Sequence, residues 1–95
     1  MKDPDRIISA LAVMRQRLMR VDTAYAPDQV SRRLLFIAVL RDYAREDNTQ
    51  GFTDYCQGNL SSRPYLTTDI LEEFYGEFGL DAETAMWDDM AALVL

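Results

Sequence analysis

The chain has no histidine and a single cysteine, Cys56, and these two counts remove most side-chain chemistry. Without imidazole there is no Ser–His or Cys–His pair, no histidine general base and no common zinc site. Cys56 would need an unusual base to act as a nucleophile, and the nearby Asp54 disfavours a thiolate. A packed or loop cysteine with no reactive role is the simpler reading.

Carboxylates are the remaining candidates. Glu72, Glu73 and Glu77 gather in one stretch, with Glu73 and Glu77 one helical turn apart, and Asp88 and Asp89 are adjacent further on. Paired acids can hold a hard cation or share acid and base work. A calcium loop, however, interleaves Asp, Asn and Gly, and no such pattern occurs here. The glycines at 51, 58, 76 and 79 match neither dinucleotide-loop nor P-loop spacing. No catalytic residue, metal or cofactor is expected, and the function is read as non-enzymatic.

Charge is distributed unevenly. Nine of the ten basic residues lie in positions 1–47 with seven acids; positions 48–95 hold Arg63 and nine acids. The two halves thus carry formal charges of +2 and −8. Unlike ends suggest electrostatic partners. Glu72, Glu73, Glu77, Asp81, Glu83, Asp88 and Asp89 fall within 18 residues, a density that suits a protein partner with a basic surface.

The leading expectation is therefore a small acidic adaptor, accessory protein or inhibitor, including the nucleic-acid-mimic and immunity-type forms. Its expected contact surface is Glu72, Glu73, Glu77, Asp88 and Asp89 with Tyr75 and Trp87 as aromatic anchors. Against it stands the plainer account, in which the acids solubilise the surface or pair with the arginines inside the fold.

The alternative is a nucleic-acid-associated regulator, dimeric, using Arg32, Arg33, Arg41 and Arg45. A helix–glycine–helix pattern over 74–89 superficially suggests a DNA-reading motif. Its second segment, Asp81 to Met90, has no Lys or Arg, so phosphate would repel it. The formal charge of −6 also disfavours nucleic acid in general. Homodimerisation remains open, because a helical stripe serves a seam between copies as readily as a core.

The elements that must position these residues read as helices throughout. Asp3-Pro4-Asp5 supplies an N-cap, a proline at the first helical position and an acid in the first turn. Ile7, Leu11, Met14, Leu18, Val21 and Tyr25 then recur at three- and four-residue steps over five turns. Arg6, Arg17 and Arg20 line one side of this helix and Arg15 the other. Ala26-Pro27-Asp28-Gln29 starts a second helix running to about Asn48, whose centre from Leu34 to Leu40 is apolar on every side and is expected to be packed on several.

Turn formers mark 48–67 as a structured connector, with one helical turn around Phe52–Gln57. A third helix starts at Thr68 or Asp69 and ends at Gly79, with Gly76 marking close packing. Asp81 caps a fourth, carrying Trp87. The sum is a single domain, 1–95, folded as an all-α, compact, irregular bundle of four main helices.

Ninety-five residues with 48% apolar content suffice for one modest core without staples. The longest apolar run, Leu34–Leu40, falls far short of the roughly 20 residues of a membrane helix. The first residues lack the pattern of a secretory leader. A soluble, cytoplasmic protein is expected, consistent with the lone cysteine.

Overall fold

The structure is a computed structural model, which describes residues 1–20, 22–57, 68–80, 91, 94 and 95. It is all-α, with helices α1 (Pro4–Leu18), α2 (Pro27–Arg45), α3 (Thr49–Gln57) and α4 (Thr68–Gly76), and no strand occurs among the described residues. No helix among them is long and apolar enough to cross a membrane.

α1 begins as its sequence predicts. Asp3 Oδ1 accepts from the Arg6 backbone N–H at 3.3 Å, and Pro4 opens the first turn. Its buried stripe is Ile7, Ala10, Leu11, Met14 and Leu18. The helix stops at Leu18, earlier than the run to Tyr25 suggests. The Thr23 Oγ1 accepts from the Tyr25 N–H at 3.5 Å, a local side-chain bond that competes with helical continuation. Tyr25 is consequently in the loop, half-buried against the core.

α2 has half of a capping box. Gln29 Oε1 accepts from the Ala26 N–H at 3.0 Å, while Ala26 has no side-chain oxygen to return the bond. The helix buries Phe36, Ile37, Leu40 and Ala44. Leu35 is 44% exposed, so the segment expected to pack on several sides leaves one face outward. Its C-terminus closes tightly: Asp47 adopts φ 55°, its N–H donates to the Ala44 carbonyl at 3.3 Å, and Asn48 N–H donates to the Tyr43 carbonyl at 2.9 Å. That is the paired bonding of a Schellman motif.

The same Asn48 starts α3, its Oδ1 accepting from the Gly51 N–H at 2.9 Å. One residue thus ends one helix and caps the next. α3 is a nine-residue helix where a single turn was expected, and it buries Phe52, Tyr55 and Cys56. Gly51 sits so close to the Tyr43 ring that a Cβ there would lie 2.6 Å from it; this is where α2 and α3 meet.

α4 ends at Gly76, and the following turn closes on Gly79 at φ +72°. The close packing expected at Gly76 does not occur among the described residues, none of which would lie within 4 Å of a Cβ there. The expected fourth helix from Asp81 lies outside the described residues.

An aromatic cluster joins the elements. Phe74 of α4 meets Phe36 of α2 edge-on at 5.6 Å and Phe78 at 5.4 Å, with Phe52 of α3 at 6.3 Å. Such geometry adds about 0.5–1.5 kcal/mol per pair beyond area burial. Ile7, Leu11 and Met14 of α1 complete this core. The short α1–α2 connection makes the two helices antiparallel neighbours, and the Met1 amino group pairs with Asp47 at the far end of α2.

Candidate functional site

Two groups of charged residues stand out, and they differ in kind. The first is closed. Arg33 on α2 is only 4% exposed. Its Nε donates to Glu73 Oε2 at 3.1 Å and its Nη2 to Asp69 Oδ2 at 2.7 Å, both acceptors on α4. The guanidinium stacks over the Tyr25 ring at 4.0 Å, and the Tyr25 hydroxyl donates to the same Glu73 oxygen at 3.0 Å.

Burial works against the Arg33 charge, but the hydrogen bonds to Glu73 and Asp69 outweigh it and push its pKa up. Burial, reinforced by the bond to Glu73, also raises the Tyr25 phenol. A second contact of the same sense pairs Arg17 of α1 with Glu77, and Arg6 lies over the Phe78 ring at 5.3 Å. Opposite charge within the chain is thus partly consumed in holding α4 to α1 and α2.

This arrangement redistributes the residues singled out in the sequence. Glu73 and Glu77 are engaged internally, as is Asp69. Glu72 is exposed. Tyr75, read as an aromatic anchor, is 1% exposed and belongs to the core, where burial and the neighbouring Cys56 raise its phenol well above the ordinary value. Trp87, Asp88 and Asp89 lie outside the described residues. Of the alternative basic set, Arg33 turns inward, so the four arginines do not share one face. Arg32 is exposed and sits nine residues before Arg41, about half a turn round the helix from it.

Arg41 and Arg45 are the two that do come together, one turn apart on α2. With Arg15 of α1 they line the second group, a cleft of about 190 Å³ between the two helices. Its apolar lining is Ile8, Leu11, Ala12 and Ile37, and Gln16 adds a polar edge. The Arg41 Nε is buried, with no hydrogen-bond partner among the described residues. Among the described residues none of Arg15, Arg41 and Arg45 forms an ion pair with a carboxylate.

The joining of Arg15 to Arg41 and Arg45 is the feature that sequence reasoning missed. The signal was half present: Arg15 lies on the opposite side of α1 from Arg6 and Arg17, and those two face α4. Among the described residues no three Cys, Asp and Glu side chains converge as metal ligands. The cleft presents no nucleophile and no general base. What it presents is fixed positive charge beside apolar surface.

The fold and this cleft define a small all-α bundle with an electropositive, apolar-floored groove. No family model, no curated protein and no solved structure matches the chain.

Proposed function

We propose that this chain is a non-enzymatic protein-interaction factor that engages its partner through the cleft between α1 and α2. The single observation that carries this reading is the lining of the cleft, where Arg15, Arg41 and Arg45 stand beside Ile8, Leu11 and Ile37 and pair with no carboxylate among the described residues. Charge left unpaired beside apolar surface is what a partner of opposite charge with an apolar side chain would complement. Arg15 and Arg45 add charge on either side. Arginine is well suited to carboxylate contacts, because its planar fork matches them.

Size separates a protein partner from a small ligand. Pockets for drug-sized molecules enclose about 300–1,000 Å³, and this cleft holds about 190 Å³. That is room for one or two side chains of a partner, the recess of an interface hot spot. The adaptor or inhibitor class read from the sequence is retained, with its surface moved from the acidic half to the arginine cleft. A cytoplasmic setting belongs to the same proposal, since with Cys56 as its single cysteine the chain can form no internal disulfide.

The test is affinity capture from the native host, with nuclease, comparing the wild type with the Arg41→Ala/Arg45→Ala variant. A stoichiometric protein partner lost in the double variant supports the cleft. A partner that stays with the double variant but is lost on Glu72→Lys returns the surface to the acidic half. Recovery of only nuclease-sensitive material sinks the protein-partner reading.

A further inference from the structure

Resting on that reading of the cleft, we infer that its occupant is an acidic amphipathic helix: one apolar side chain seated between the helices, flanked by carboxylates one turn apart. Three observations lead there. Arg41 and Arg45 are separated by one turn, about 6 Å along α2, which matches carboxylates at i and i+4 of a helix laid in the groove. The lining between the arginines is Ile8, Leu11, Ala12 and Ile37, which only an apolar group can cover with gain; a residue at i+3 shares the face of i and i+4 and supplies it. Arg15, Arg41 and Arg45 line the cleft with no carboxylate partner among the described residues, and carboxylates on an incoming helix can meet them with charge-assisted bonds.

The same features weigh against other occupants. Phosphate backbones carry no apolar group and would leave the floor wet. A second copy of the chain would have to offer an acidic turn of its own. Glu73 and Glu77 have that spacing, but Arg33, Tyr25 and Arg17 already hold them; Asp42 and Glu46 have it too, but the residue at i+3 between them is Arg45, a charged member of the cleft itself and no apolar anchor. Helix-in-groove recognition, with anchors read at helical spacing, is the mode that fits.

The experiment titrates the full ¹⁵N-labelled chain with a synthetic helix-forming peptide carrying Glu at i, Leu at i+3 and Glu at i+4 over two turns. The expected result is a set of shifts at Ile8, Ala12, Ile37 and the Arg41 and Arg45 side chains. Replacing the peptide's leucines by serine, at unchanged charge, should weaken binding about tenfold, as should Arg41→Ala in the protein, each equal to about 1.4 kcal/mol. Arg32→Ala serves as the control on the opposite face and should change nothing. Oligoglutamate or a single-stranded 12-mer of DNA binding the cleft as tightly as the peptide would overturn the amphipathic inference while leaving the cleft reading intact. If no probe moves the cleft resonances, and sedimentation shows no self-association, both fall together.

Discussion

Arg33 Nε donates to Glu73 Oε2 at 3.1 Å, bridging 40 positions of sequence and joining the basic half of the chain to the acidic half. The bond is one arm of a group in which Arg33 also reaches Asp69, and Tyr25 both underlies the guanidinium and donates to Glu73. Its meaning is architectural: the charge asymmetry of the sequence is in part an internal pairing.

Replacing Arg33 by Ala should therefore cost about 2–4 kcal/mol. Breaking a buried pair typically costs about 3–5 kcal/mol, and the loss here is smaller because the Asp69 side chain is 60% exposed and can rehydrate. Asp69→Asn should cost less than about 1 kcal/mol, as exposed pairs do, with Glu73→Gln between the two. Urea unfolding of the three variants gives the order; Asp69→Asn matching Arg33→Ala would show the wrong partner to be dominant.

Alkaline pH should weaken the fold through Tyr25. Its folded pKa is raised above 10.0 by burial and by the bond to Glu73, so the folded state favours the neutral phenol. The associated stability is complete below pH 10 and is lost as pH rises through the folded pKa. Tyr25→Phe should lower stability at neutral pH by about 1 kcal/mol for the lost hydrogen bond and flatten the alkaline loss. Thermal unfolding followed from pH 7 to 11 measures both effects.

Tyr75→Ala should remove about 3–5 kcal/mol, the cost of emptying a large aromatic from a core. Stability for a chain of this length is about 5–14 kcal/mol, so at the low end of that range the variant retains about 2 kcal/mol or less and is partly unfolded at 37 °C. Loss of any interaction in Tyr75→Ala consequently reports on folding, and circular dichroism run beside the binding assay will show it.

Arg41 should behave in the opposite way. Arg41→Met keeps the side-chain bulk and deletes the unsatisfied Nε, so the free protein should be as stable as the wild type or up to about 1 kcal/mol more stable. A destabilisation above 1 kcal/mol in chemical unfolding would mean that Arg41 has a structural partner, and the cleft would lose its standing as a binding site.

The surface pair Arg17–Glu77 is a calibration of these figures. Arg17 is exposed, so Glu77→Gln should cost no more than about 1 kcal/mol and less in high salt. Unfolding midpoints at low and high sodium chloride provide the check.

Local signals were readable because they are local. Asp3-Pro4-Asp5 caps α1, Pro27 and Gln29 start α2, and the Ile7-Leu11-Met14-Leu18 stripe faces the core, since each depends on residues within a turn or two. Where the sequence misled, the deciding contact was distant or conformational. α1 stops at Leu18 although its apolar spacing continues, and Tyr25 packs on the core from the loop instead. The helical pattern suggests close packing at Gly76, yet no described residue approaches it, since packing depends on what lies opposite and no pattern within the helix records that.

Composition and periodicity alone determined the helical class, the starts of α1 and α2 and the exclusion of histidine chemistry, because these follow from residue type and spacing along one chain. Only the tertiary structure decided which charges are spent and which remain. Arg33 and Arg41 are eight residues apart on one helix, and sequence treats them alike. Folding turns the first toward α4, where two carboxylates meet it, and sets the second against α1, where apolar side chains lie beside it and no carboxylate among the described residues pairs with it.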